Sequence, residues 1–257
     1  MATAFWRLAL ALLPLLFLHR RERADSQSHR RPNALRECID VAAPGLFLAA
    51  DLAAWHTSLH LTSVANSTLL VNVAPIFVTL FSWLVLGQKI SSGFVIGLAI
   101  SIIGIVVLKG GLAALGDGDI RGDGLAVFAA ALYAGYILLL GRARKSYSTT
   151  TIMLWSTVSA ALCTGLLGLL TEPHLLPWTI AGWVTLIGLA WISQAAGQSL
   201  ITFALAWLPA TMSSLTLLIQ PVVAVVLAWL LLKEPLTGIQ ITGGLIVIGG
   251  IAVARRG

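Results

Sequence analysis

The sequence predicts an all-α, polytopic membrane protein built as an inverted repeat of two five-helix bundles, with the first helix of the first repeat missing and nine helices left. Three observations carry this expectation. Of 257 residues, 58% are hydrophobic and only 10% are charged. A water-soluble domain needs about 25% charged residues to clothe its surface, so lipid must face much of this one. Nine apolar runs recur near the length of about 20 residues that crosses a bilayer. Finally, a shift of 146 residues brings the two halves of the chain into register.

The first run, 3–18, is TAFWRLALALLPLLFL. A signal peptide carries its positive charge before the apolar core. Here HRRER follows the core, so the segment is expected to stay and to end in the cytoplasm. Arg7 is the only base inside the spans. It attracts an anionic group or counters a carboxylate, or else it snorkels to the headgroups. The loop 19–41 is the long polar stretch and places Cys38 in a polar loop.

Run 42–61 holds Asp51, the only acid inside the spans. An ionised carboxylate costs several kcal/mol in lipid and persists only beside a partner or water. Asp51 is read as a proton-coupling or substrate-amine site. A protonated carboxyl bonded between helices is the alternative. Trp55 and Ser58 share its face at i+4 and i+7. His56 is a candidate proton relay, and His60 is placed at the outer interface. Two imidazoles at i and i+4 are too few ligands for a metal, so none is expected.

Run 67–86 carries Pro75, which frees a backbone carbonyl one turn back and marks a helix break. Thr68, Asn72 and Thr79 share its face. Run 92–108 has Gly93, Gly97 and Ser101 at small-xxx-small spacing, which permits close helix approach. Run 123–141 carries Tyr133 and Tyr136 at i and i+3, either cavity-lining or packing residues. Run 150–170 holds Cys163. Cys38 and Cys163 read as free thiols. Run 179–205 presents Gln194 and Gln198 at i and i+4. Run 210–232 has a second break at Pro221, with Ser213, Thr216 and Gln220 on one stripe. Run 238–254 carries Gly243 and Gly250 a heptad apart. The glycine stripes are read as packing within the chain, with a homodimer contact as the alternative.

Threading these runs places Arg20, Arg21, Arg23, Arg30, Arg31, Arg36, Lys89, Arg142, Arg144, Lys145, Arg255 and Arg256 on one side and only Lys109, Arg121 and Lys233 on the other. That bias of twelve to three makes the first side cytoplasmic, with the C-terminus inside. The loop around Gly116 to Asp123, with its three aspartates, falls outside. The net charge of +6 resides in short clusters between apolar runs, so no basic face exists for nucleic acid.

Under the shift of 146, residues 61–107 match 207–253 at twelve of 47 positions. Pro75 falls on Pro221, Trp83 on Trp229, Gly97 on Gly243 and Gly104 on Gly250. A period of five spans is odd, so the repeats enter the membrane from opposite sides. This is an architecture of alternating-access transporters. The expected domains are 1–110, with four helices and an incomplete N-terminus, and 121–257, with five. Run 123–141 has no partner in the first half.

AFWRLALALL, TSVANSTLLVNVAPIFVTLFSWLVLGQKIS and SSLTLLIQPVVAVVLAWLLLKEPLTGIQITGGLIVIGGIAV together resemble the EamA family of the drug/metabolite transporter superfamily. The resemblance implies paired five-helix repeats that export or import small metabolites across an inner membrane. The departure from the pattern is the absent first helix, which in that family helps line the cavity. The expected function is secondary active transport of a small metabolite or drug-like solute, with protons as the coupling ion, the bilayer and solute as partners, and no cofactor. The chain shows no HExxH, GxSxG or P-loop pattern. A membrane-embedded enzyme and a non-transporting or truncated membrane protein are the alternatives.

Overall fold

A computed structural model describes residues 1–25, 32–111, 119–177 and 179–256. All regular structure among them is helical. The helices are α1 (Ala2–Asp25), α2 (Leu35–Leu61), α3 (Val64–Val71), α4 (Ala74–Leu84), α5 (Ser92–Leu108), α6 (Ile120–Ala143), α7 (Thr149–Thr171), α8 (Ile180–Gly188), a π-helical segment (Leu189–Gly197), α9 (Gln198–Ala204), α10 (Ala210–Thr216), α11 (Ile219–Leu232) and α12 (Gly238–Arg256). Eight stretches among the described residues are long and apolar enough to span a bilayer, and α5 is a shorter apolar helix. The protein is a multi-pass membrane protein.

Local chemistry starts many of these helices. Ser63, Ser91, Ser148 and Thr179 each accept a hydrogen bond from the backbone N–H three residues on, which satisfies an orphan donor of the first turn. Thr237 and Gln240 cap α12 reciprocally, at 3.0 and 3.3 Å.

The bounds of several elements are corrected. The breaks marked by Pro75 and Pro221 fall between Val71 and Ala74 and between Thr216 and Ile219. Each break falls just before a proline that opens the second piece. Run 179–205 passes through a π-helical segment, which leaves the even 3.6 spacing. The polar connection 19–41 is shorter than expected, because α1 continues to Asp25 and α2 begins at Leu35. Hydropathy marks where a helix leaves lipid, and these charged turns remain helical beyond that point. Cys38 therefore lies in α2, not in a loop. Arg30, Arg31 and residues 116–118 of the aspartate-rich loop lie outside the described residues.

The chain divides into two compact units. The first comprises Met1–Ala53 and Gly135–Pro209. In it α1 packs along α7 and along the π segment. Ala4, Leu8, Ala11 and Leu15 form its buried stripe at helical spacing. The Phe5 ring fills the space of a Cβ at Gly165, near the end of α7, while His19 meets Thr150 at its start. The two helices are therefore antiparallel. Gly45 of α2 rests on the Ser156 carbonyl of α7, and Phe47 lies against Gly135 of α6.

The second unit comprises Ala54–Ala134 and Ala210–Gly257. Its spine is α5 against α12. A Cβ at Gly97 would lie 2.4 Å from Ala254 N, and one at Gly104 2.6 Å from Val247 N. Early residues of α5 thus meet late residues of α12, so this pair is antiparallel too. The contacts are reciprocal. Gly243 meets Leu108 as Gly97 meets Ala254, and Gly250 meets Ser101 as Gly104 meets Val247. Each pair becomes the other when both members move by 146 positions, and Ser101 Oγ donates to the carbonyl of its own counterpart, Val247, at 3.4 Å. The small-residue stripes are used inside the chain, as read from their spacing. Leu98, Ile105, Leu215, Leu218 and Val247 complete the core of this unit.

Candidate functional site

The first unit gathers five of the sequence candidates. Asp51 lies on the buried face of α2 with Leu48 and Leu52, only 7% exposed. Nothing apolar can solvate a carboxylate, so its partner decides its chemistry. That partner comes from α1: the Arg7 guanidinium is close enough for its charge to act on Asp51. Tyr136, fully buried on α6, donates its hydroxyl proton to Gln198 Oε1 of α9 at 3.3 Å. Gln194 sits in the π segment at 2% exposure, and its Nε2 makes no hydrogen bond among the described residues.

Two residues that the sequence reading passed over belong with these. Thr157 of α7 is fully buried, and its Oγ1 also lacks a partner among the described residues. Thr202 of α9 bonds Gln198 O at 2.8 Å and Met153 Sδ at 3.1 Å. Ser156, Thr157 and Thr164 of α7 are all buried. The first unit thus offers a buried carboxyl within the influence of a guanidinium and two buried polar groups with unused capacity. Such groups are satisfied when a polar solute or water reaches them.

The remaining candidates belong to the second unit. The Trp55 and His56 rings are edge-on, with centroids 5.3 Å apart. Trp55 Nε1 is buried and makes no hydrogen bond among the described residues. Asn72 caps α3 and donates Nδ2 to Thr68 O at 2.7 Å, so its amide serves the break before Pro75. Tyr133 is half-buried on α6. Thr216 Oγ1 returns to Met212 O at 2.8 Å, and both Thr216 and Gln220 are exposed beside the break at Pro221. Ser213, on the same stripe, is buried, and its Oγ is unbonded among the described residues. Asp123, in the first turn of α6, accepts from Thr62 Oγ1 at 2.7 Å and ties α6 to the end of α2.

Comparison with known proteins agrees with this architecture. The model of the EamA-like transporter family matches residues 1–109 and again 120–256. A protein described as an uncharacterized transporter from Archaeoglobus fulgidus is 26% identical over 212 residues, covering 82% of this chain and 74% of that one. The uncharacterized transporter YdfC of Bacillus subtilis is 25% identical over 219 residues, 81% of this chain and 70% of that one. A solved crystal structure superposes with a TM-score of 0.80 at 20% identity, over 98% of this chain and 87% of that chain, which establishes a shared fold. The chain belongs to the EamA-like transporter family.

Proposed function

We propose that the protein is a secondary active transporter that moves a small metabolite or drug-like solute across the inner membrane by alternating access, with its C-terminus in the cytoplasm. Two repeats, 1–110 and 121–257, are the moving parts. The observation that carries this reading is the reciprocity of the α5–α12 contacts. Counterpart helices that run antiparallel and swap contacts under one shift are what oppositely oriented repeats produce. Such repeats can exchange conformations and so expose one site to either side in turn. The asymmetry of basic residues, twelve against three, supports the assigned sides.

Asp51 binds and releases the coupling proton, and Arg7 holds an anionic group of the solute or compensates the carboxylate when the site is empty. His56, further along α2, is the second proton carrier. Tyr136, Gln194 and Gln198 supply hydrogen bonds to the solute. Trp55, Asn72, Tyr133, Thr216 and Gln220 are the further candidates for polar and aromatic contacts that the sequence offers. Pro75 and Pro221 keep the adjoining carbonyls out of helical bonding.

The test uses the full chain in proteoliposomes, supplied with a metabolite extract from cells, with uptake read by mass spectrometry. The wild type is expected to accumulate at least one solute faster under an imposed pH gradient. Asp51→Asn, at equal incorporation, is expected to lose that gradient dependence. Uptake of no component would refute transport. A gradient response retained by Asp51→Asn would refute the coupling role alone.

A further inference from the structure

A cleft of about 200 Å³ opens in the second unit where α5 ends, α11 ends and α12 begins. Lys109, Glu234 and Gln240, the last in the first turn of α12, all line it. No ion pair joins Lys109 to Glu234 among the described residues, so a cation and an anion line one space without closing on each other. Gln240 Oε1 is engaged by the Thr237 N–H, which leaves Nε2 as its donor. Below the charges the wall is apolar: Pro221, Ala224 and Ala228 follow one face of α11. Not one residue of α11 is buried. An apolar track runs from the charged mouth along a helix that crosses the bilayer.

The opposite end of the same unit makes the contrast. The shift of 146 carries Lys109 onto Arg255 but Glu234 onto Gln88. It carries Ala224 and Ala228 onto Val78 and Ser82, both fully buried. A cation is present at both ends. The open wall and the acid are present at only one.

We propose that this cleft binds the headgroup of a phosphatidylethanolamine-type lipid. Lys109 and Gln240 Nε2 take the phosphate, Glu234 takes the primary ammonium, and an acyl chain lies along Pro221, Ala224 and Ala228. Charge complementarity chooses the lipid. An anionic headgroup would meet Glu234 with repulsion. A choline headgroup has no N–H to give the carboxylate. The length of the apolar track chooses a lipid over a free zwitterion.

The experiment is native mass spectrometry of the full, delipidated chain in detergent, titrated with dioleoyl phosphatidylethanolamine, phosphatidylcholine or phosphatidylglycerol, and separately with free O-phosphoethanolamine. Thermal unfolding is followed in parallel. The ethanolamine lipid is expected to bind at one saturable site and raise the melting temperature. Lys109→Gln and Glu234→Gln are each expected to weaken it about threefold to tenfold. Glu234→Lys is expected to turn the preference towards phosphatidylglycerol. Ala224→Leu, which fills the wall and leaves the charges, is expected to weaken all three lipids. Equal binding of the three lipids by the wild type would overturn the proposal. So would a preference unchanged in Lys109→Gln and Glu234→Gln. Binding of O-phosphoethanolamine as tight as the lipid would overturn it as well, by making the occupant a soluble zwitterion.

Discussion

At Gln194 the chain buries a primary amide whose Nε2 is unbonded among the described residues, at a cost of about 1–3 kcal/mol. The solute contact proposed for Gln194 would account for that cost. Gln194→Met, similar in volume and apolar, is therefore expected to raise stability by about 1 kcal/mol and to lower solute uptake. Thermal unfolding in detergent and proteoliposome flux measure the two. A destabilised variant would show that the amide has a structural task. The Arg7 charge acts on Asp51. Removing the guanidinium leaves a buried carboxylate uncompensated, so Arg7→Met is expected to destabilise more than the double variant Arg7→Met/Asp51→Asn. The coupling energy is expected to exceed about 1 kcal/mol in a double-mutant cycle. Independent effects would mean the two charges do not meet. Both residues were legible in the sequence, because a charge within an apolar run stands out. Thr157 was not. Threonines in such helices commonly return their hydroxyl to the carbonyl four residues back, as Thr164, Thr185 and Thr216 do. Spacing alone does not separate those, such as Thr157, that do not.

Among the elements, the turns after α4 and α11 share an unusual backbone. Gly87 has φ +63° and Lys233 φ 57°, and they are counterparts under the shift. Glycine reaches this left-handed region freely, whereas an L side chain pays roughly 1 kcal/mol. Lys233→Gly is accordingly expected to stabilise the protein by about 1 kcal/mol, read as a rise in the unfolding midpoint. No rise would mean that the Lys233 side chain makes up the strain. The α5–α12 seam gives the opposite sign. Gly97→Ala forces a Cβ onto the backbone of Ala254 and is expected to cost about 1–3 kcal/mol. Gly249→Ala, one residue from the seam glycine Gly250 but with nothing within 4 Å, is expected to be neutral. Equal effects would place the seam elsewhere. Helix existence was legible here: run 92–108 coincides with α5, and run 210–232 spans α10 through α11. The breaks inside the runs were signalled by Pro75 and Pro221. The π segment, in which Ala190, Gln194 and Ala195 are buried, has no proline or glycine pair to announce it in the sequence.

For the whole molecule, the sequence predicts a repeat, because a Pro and a Trp recur at one separation. What could not be read is that each compact unit takes counterpart helices from both halves: α1 with α7 in one, α5 with α12 in the other. Sequence similarity aligns counterparts but does not say that they touch, and the glycine contacts supply that. The central claim is that the halves lie inverted in the bilayer, and counterpart positions test it most directly. With Cys38 and Cys163 replaced by alanine, Lys89→Cys and Pro235→Cys are placed at matched sites on exposed turns. They are then probed with a membrane-impermeant maleimide in right-side-out vesicles. The account predicts labelling at position 235 and none at 89 until the membrane is opened. Labelling of both from the same side would contradict it.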